Sequence, residues 1–251
     1  MNKDYFLIVD TETTMPKKDE NNPIGMMGKE LVADFGAIVV DRKGNIIHQC
    51  AVLVKGVYGE VSLFYMSGED ANNLWSKQVK DRRFTTYEMM LENGTRTLNS
   101  VVAINRWLER VMGKYNPMLT AYNLSFDLGK CENTGIDLSI FSDRFCLWYS
   151  AADKWGQTKK YKNFVLDVHA FRPPTDLGNM SYRTNAETMA RFILNKPNLD
   201  DEPHTALEDA IEYELPILLK LIKGQTRKQI LTPPKGYNWR DYQVKDHFTA
   251  K

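Results

Sequence analysis

This sequence has little cysteine, little net charge and no long apolar run, and each shortage excludes a class of protein. Only 3 cysteines occur in 251 residues; such sparse thiols argue against a disulfide framework, and no Cys-x-x-Cys pair is present to hold a metal. The formal net charge is +1, so attraction to phosphate groups has to come from local patches. The first apolar run, Tyr5 to Val9, is too short to cross a membrane and lacks a signal-peptide cleavage pattern. We therefore expect a protein of a reducing, cytoplasmic setting, with no membrane partner.

The remaining composition is that of an ordinary globular protein. Hydrophobic residues make up 43% of the chain and charged residues 26%, which allows a substantial core. The length fits one elaborated α/β domain with extensions. We predict a main domain over residues 1–224, interrupted by an aromatic and basic insertion at about 55–94, and a C-terminal extension over 225–251.

The order of apolar patterns predicts an α/β fold with a mixed central β-sheet flanked by α-helices. The first three strands read as a meander, with Asp10 at the end of the first. β-Rich runs are predicted at Tyr5–Asp10, Leu31–Val40, Ile46–Val54, Met118–Tyr122, Phe145–Tyr149 and Phe164–Val168. Helical patterns are predicted from Leu98 to about Gly113, from about Ser125 to Gly135, over Glu187–Leu194 and over Thr205–Lys223.

Two carboxylates stand close together at the end of the first predicted strand. Asp10 and Glu12 are two residues apart, so on an extended strand their side chains point to the same face. Paired carboxylates repel each other unless a cation or a proton lies between them. Taken alone, such a pair is more often a solvated strand end than a site.

Two further carboxylates and a histidine occupy helix starts later in the chain. Asp127 comes directly after a short apolar strand, in the first turn of a predicted helix, where it could also serve as a cap. Thr205-x-x-Glu208 matches a capping box, which makes Thr205 the N-cap and places Asp209 in the first turn. His204 then falls on the loop just before the helix; a single histidine there is more often a surface residue than a functional one.

Taken together, three motifs resemble those of the DEDDh 3′→5′ exonucleases, which include proofreading exonucleases, ribonuclease T and oligoribonuclease. The motifs are VDTETT over Val9–Thr14, NxxFD over Asn123–Asp127 and HxxxxD over His204–Asp209. They occur in the order of that family. The resemblance implies a ribonuclease H-like fold and makes residues 1–224 the exonuclease domain.

The resemblance also implies the chemistry. Asp10, Glu12, Asp127 and Asp209 would hold two divalent cations, Mg²⁺ or Mn²⁺, and His204 would act as the general base on the attacking water. The released product would be a nucleoside 5′-monophosphate. The family contacts the terminal nucleotide near these motifs, which in this sequence implicates Thr11, Thr13, Thr14, Asn123 and Phe126. Met15-Pro16 stands where the family usually continues with glycine, so the placement of Thr13 and Thr14 stays open.

The implied substrate is single-stranded DNA or a DNA 3′ end, with RNA or short oligonucleotides as the nearest alternative. Other readings are a catalytically inactive nucleic-acid-binding module, or carboxylates that hold a structural metal without turnover. Nucleic acid could contact Trp75–Tyr87, Lys154–Lys162 or the tail beyond residue 225, but charge runs are usually solvated and aromatic residues usually belong to the core. A replication or repair protein partner and a homodimer both stay open.

Overall fold

A six-stranded mixed β-sheet organises the protein. The computed structural model describes residues 4–14, 30–59, 86–172 and 180–244. The sheet has the order β4-β3-β2-β1-β5-β6. The strand β2 pairs antiparallel with both β1 and β3. The three other pairs are parallel: β4 with β3, β5 with β1, and β6 with β5. The strands are β1 (Tyr5–Thr14), β2 (Leu31–Asp41), β3 (Ile46–Val54), β4 (Thr97–Asn99), β5 (Met118–Ala121) and β6 (Arg144–Cys146).

The sheet is covered on both faces because its central strands are apolar on both sides. In β1, Leu7 and Val9 face one hydrophobic cluster, and Phe6 and Ile8 face the other; all four side chains are 0% exposed. A strand buried on both faces needs a nearly continuous apolar run, which β1 has up to Val9. The polar residues that follow therefore come at the point where β1 leaves the core.

The helices divide between the two faces. A short helix α1 spans residues 86–92. The helices α2 and α3 cover the Leu7 face, and the helices from α4 to α8 cover the Phe6 face. Their bounds are α2 (Val101–Tyr115), α3 (Leu124–Thr134), α4 (Leu147–Ala151), α5 (Lys159–Asp167), α6 (Ala186–Leu194), α7 (Ala206–Asp209), α8 (Leu215–Ile222) and α9 (Arg227–Ile230). Two π-helical segments, Ala152–Gly156 and Ala210–Glu214, follow α4 and α7, a 3₁₀ turn spans Trp239–Tyr242, and Phe171–Arg172 (β7) pairs with Ser181–Tyr182 (β8).

The predicted α/β class is confirmed, with four local corrections. The helix predicted from Leu98 begins at Val101, because Thr97–Asn99 form β4. The strand β1 continues to Thr14, so Asp10 lies within it and not at its end. The strand predicted at Phe145–Tyr149 ends at Cys146, and α4 begins at Leu147. The strand predicted at Phe164–Val168 is wrong, because these residues belong to α5 and to its C-cap. Tyr161 and Val165 are both buried four residues apart, which is the helical spacing that a short apolar window hides.

The described part of the predicted C-terminal extension, residues 225–244, packs on earlier parts of the chain. Arg227 pairs with Asp143 at 2.6 Å. Tyr242 is 3% exposed, and its hydroxyl donates to the Ala152 carbonyl at 3.2 Å. Of the predicted insertion, residues 60–85 lie outside the described residues. None of the described helices is long and apolar enough to span a membrane.

Candidate active site

The sequence motifs meet where β1 leaves the core. Asp10 and Glu12 lie two residues apart on β1 and so point to one face of the sheet. The ligand atoms of Glu12, His204 and Asp209 all lie within 4.8 Å of one another. The carboxylate of Asp127 is close enough to Asp10 to raise the pKa of that residue. All five predicted residues therefore come together, although they derive from three separate parts of the chain.

Asp127 approaches this group where the shorter strand β5 ends beside β1. The strand β5 pairs Thr120 with Ile8 and ends at Ala121, whereas β1 continues to Thr14. The helix α3 begins immediately after the left-handed Asn123, whose φ is 75°, and carries Asp127 into the space that β5 leaves open. The Thr11 hydroxyl donates to Oδ1 of Asp127 at 2.8 Å. This hydrogen bond holds a carboxylate that is only 2% exposed.

The helix α7 is pressed against β2 opposite Asp10. Gly36 is the antiparallel partner of Asp10. A Cβ atom at Gly36 would lie 2.3 Å from the backbone of Ala206 and Leu207, so only glycine permits this approach. The Asp34 carboxylate on the same strand accepts a hydrogen bond from the Ala206 amide at 3.0 Å. Strand and helix are thus joined by direct backbone packing and by one buried carboxylate.

A buried arginine outside the three motifs completes this junction. Arg96 is 1% exposed; its guanidinium contacts the Asp34 carboxylate at 3.0 Å and the Glu208 carboxylate at 2.5 Å. Arg96 lowers the pKa of Glu208, whose own burial works in the opposite direction. The chain order gives no indication of this three-residue network, since its members come from β2, the turn before β4 and α7.

The capping box predicted at Thr205 is wrong. Thr205 does occupy the N-cap position, but its side chain makes no capping hydrogen bond. Glu208 pairs with Arg96, and the amide of Ala206, the first helical residue, donates a hydrogen bond to Asp34. Tertiary partners have replaced the local cap, while Asp209 keeps the predicted place in the first turn.

His204 lies outside α7, as predicted, in a backbone conformation that is uncommon for residues other than glycine. Its φ is 57°, in the left-handed region, which residues with a Cβ adopt at a cost of about 1–2 kcal/mol. The side chain is half-buried and its ring lies close to Glu12 and Asp209. Such strain is tolerated where the surrounding structure fixes the residue.

Sequence reasoning missed one carboxylate of this region, Glu214. It ends the π-helical segment Ala210–Glu214 and is 2% exposed. Its Oε1 accepts a hydrogen bond from the Tyr122 amide at 2.9 Å. In a regular α-helix, residues five apart such as Asp209 and Glu214 point about 140° away from each other. Only the wider π turn, which the sequence does not announce, lets both face the sheet.

Burial and mutual repulsion raise the pKa values of these carboxyl groups. Burial has the largest effect on Asp10, followed by the nearby Glu214 carboxylate, and the pKa rises well above its usual range. Burial likewise raises the pKa of Asp127 to about 8, against the hydrogen bond from Thr11. Carboxyl groups crowded in this way are relieved by a divalent cation, and their oxygen atoms are the ligands that Mg²⁺ and Mn²⁺ prefer. The donor set therefore fits such ions.

The residues implicated in substrate contact differ in their exposure. Thr11 donates its hydroxyl to Asp127, and Thr14 is 0% exposed, so both are engaged inside the protein. Thr13 is half-buried, as is Asn123 at the start of α3. Phe126 is 42% exposed, with the Lys130 ammonium 4.9 Å from the centre of its ring. Met15 and Pro16 lie outside the described residues.

The basic and aromatic patches contribute more to the core than their sequences suggest. In the patch Lys154–Lys162, Tyr161 is 0% exposed and Lys154 donates to the Leu221 carbonyl at 2.9 Å. Tyr87, at the end of the other patch, is also 0% exposed; residues 75–85 of that patch lie outside the described part of the chain. Tyr161 and Tyr87 are therefore core residues, whereas Lys154 is exposed.

No family model and no curated protein matches this chain. Two solved structures of E. coli Exonuclease I are similar to it: the complex with a dA16 oligonucleotide, at 14% identity and a TM-score of 0.44, and the complex with a 5cy-dT13 oligonucleotide, at 16% and 0.42. Each comparison covers 91% of this chain and 42% of the other chain, so this chain spans less than half the length of those proteins. Scores this low transfer neither residue roles nor activity.

Proposed function

We propose that this protein is a metal-dependent 3′→5′ exonuclease of the DEDDh class that releases nucleoside 5′-monophosphates from single-stranded DNA or DNA 3′ ends. The observation that carries the proposal is the convergence of Glu12, His204 and Asp209, whose ligand atoms lie within 4.8 Å of one another, beside Asp10 and the buried Asp127. Carboxylates around an imidazole beside the central strand β1 suit phosphodiester hydrolysis. The motifs do not distinguish DNA from RNA, which differ in the 2′-hydroxyl, so the test below uses both substrates.

Four carboxylates would hold the cations: Asp10, Glu12, Asp127 and Asp209. When bound, two divalent ions acidify a water molecule and offset negative charge on the scissile phosphate. Each carboxylate has a separate support. Asp10 and Glu12 are fixed by β1, Asp127 by the Thr11 hydroxyl, and Asp209 by a helix clamped to β2. Such rigid placement would keep the four carboxylates in their metal-binding arrangement before substrate binds.

His204 would accept the proton of the attacking water. An imidazole has a pKa close to neutral pH, so it can take up that proton and release it in each cycle. The half-buried ring lies beside Glu12 and Asp209. The exposed ring of Phe126 would stack on a base of the substrate.

The test is a chain-length assay with 5′-labelled DNA and RNA oligonucleotides, with Mg²⁺ or with chelator. Wild type should shorten DNA stepwise from the 3′ end only when the metal is present. The variant Asp209→Asn should abolish shortening while keeping the fold, and Asp153→Asn, which alters an exposed carboxylate, serves as the matched control. Shortening of RNA alone would assign the RNA substrate. If neither substrate is shortened in a metal-dependent way, the proposed exonuclease activity is refuted.

A second variant separates the proposed base from the ligands. His204→Asn keeps a residue that tolerates the left-handed backbone. It should lower turnover about 10²–10⁴-fold while Mn²⁺ still binds in calorimetry. Near-normal turnover in this variant would show that His204 is not the base.

A further inference from the structure

Glu214 is buried near the proposed metal ligand Asp10 and has none of the roles assigned above. The Tyr122 amide holds one of its oxygens at 2.9 Å. In the parallel register of β1 and β5, Ile8 is the partner of Thr120, and Tyr122 directly follows Ala121, the last residue of β5. The hydrogen bond thus brings the Glu214 carboxylate to the end of β5, from where its charge acts on Asp10 of β1.

The second oxygen of Glu214 is buried without compensation. The residue is 2% exposed, and its Oε2 has no hydrogen-bond partner among the residues that the structure describes. A buried carboxylate oxygen in this state destabilises a protein unless something binds it. A purely structural role, holding the Tyr122 amide, needs only Oε1, and a glutamine would perform it equally well. The presence of a carboxyl group at this position therefore needs another explanation.

The effects of Glu214 on the neighbouring carboxyl groups, and of those groups on Glu214, explain why a carboxyl group is present. Among the neighbouring charges, Glu214 has the largest effect on the pKa of Asp10. Burial, followed by the Asp127 carboxylate, raises the pKa of Glu214 itself well above its usual range. Glu214 is therefore electrostatically part of the carboxylate group, although it is not among the residues whose ligand atoms cluster at His204.

We propose that Glu214 is a positioning residue of the metal site: a fifth carboxylate, presented by the π-helical segment, that strengthens divalent-cation binding through its charge beside Asp10 without touching substrate. The inference rests on the proposed function, since it takes the four ligands as the metal site. The wide turn of Ala210–Glu214 is the device that lets one helix present both Asp209 and Glu214 to the sheet.

The test is Mn²⁺ binding by calorimetry, together with the melting temperature in chelator, for Glu214→Gln and Glu214→Asp. The glutamine variant keeps the acceptor for Tyr122 and removes the charge. We expect its Mn²⁺ affinity to fall about tenfold or more, as for other residues just outside a ligand set, with a metal-free melting temperature no lower than that of wild type. The aspartate variant keeps the charge and should bind Mn²⁺ more tightly than the glutamine variant. Glu212→Gln changes an exposed carboxylate of the same segment and should leave both readouts unchanged.

Wild-type Mn²⁺ affinity in Glu214→Gln would overturn the inference, as would an equal loss of affinity in the glutamine and aspartate variants, since that loss would follow packing and not charge. A lower metal-free melting temperature in Glu214→Gln with unchanged affinity would assign Glu214 a structural role only. If wild type itself binds no Mn²⁺, the proposed function fails, and not the inference about Glu214 alone. The two failures are therefore distinguishable.

Discussion

Replacing Gly36 by alanine tests whether the site depends on the close contact between β2 and α7. The new Cβ atom would lie 2.3 Å from the carbonyl carbon of Ala206 and from the Leu207 amide, and 2.6 Å from the Ala206 carbonyl oxygen. These are backbone atoms, so no side chain can rotate away. Ordinary contact begins at 3.4 Å, and α7 must therefore retreat by about 1 Å.

Two consequences of this displacement can be estimated. Overpacking of this kind costs about 1–3 kcal/mol of unfolding free energy, and in a chain of this length each kcal/mol lowers the melting temperature by about 2–4 °C. Because α7 carries Asp209 and follows His204, both would move away from Asp10. A misplacement of about 1 Å in a catalytic group can reduce turnover about 10²-fold.

The assay compares melting temperature and oligonucleotide shortening in Gly36→Ala and in Gly113→Ala. Gly113 is an exposed residue of α2, and a Cβ atom there meets nothing within 4 Å. Its replacement should leave activity unchanged and stabilise the helix by about 0.5–1 kcal/mol. If Gly36→Ala matched wild type in both stability and activity, the packing of α7 against β2 would be wrong.

Three further predictions concern the supports of the site. Arg96→Met leaves Asp34 and Glu208 without their cation and should lower the unfolding free energy in urea by about 3–5 kcal/mol; a loss below about 1 kcal/mol would contradict the network. Thr11→Val removes the hydrogen bond to Asp127 and should weaken Mn²⁺ binding in calorimetry about 10–100-fold, whereas equal affinity would show that this bond does not orient the ligand. Burial raises the pKa of Asp127 to about 8, so the metal-free fold binds more protons than the unfolded chain. As the pH rises from about 4 to about 8, the melting temperature of wild type in chelator should therefore fall relative to that of Asp127→Asn. Mg²⁺ should restore the melting temperature of wild type. A rise relative to Asp127→Asn would refute the raised pKa of Asp127.

Much of the fold was predictable because its signals are local. The apolar runs of β1 to β3 follow the pattern of a meander, and Gly135 ends α3 with a φ of 86°, as a glycine C-cap does. The strand predicted at Phe164–Val168 failed for an equally local reason: a five-residue apolar window does not distinguish a strand from a helix.

The sequence indicated candidate residues for the site but not the residues that support them. The spacing of Asp10 and Glu12 and the position of His204 before a helix follow from local geometry. The roles of Asp34 and Arg96 depend on pairing between distant segments, and that of Glu214 depends on a π turn. The close approach at Gly36 likewise appears only when β2 and α7 are placed together.

The most direct test of the central claim is the identity of the released product. Purified protein would be incubated with single-stranded DNA in Mg²⁺ and in chelator, and the small products would be analysed by mass spectrometry. The proposed exonuclease should release nucleoside 5′-monophosphates in Mg²⁺ and nothing in chelator, and Asp10→Asn should release nothing in either. Nucleoside 3′-monophosphates, or equal release in chelator, would contradict the proposal.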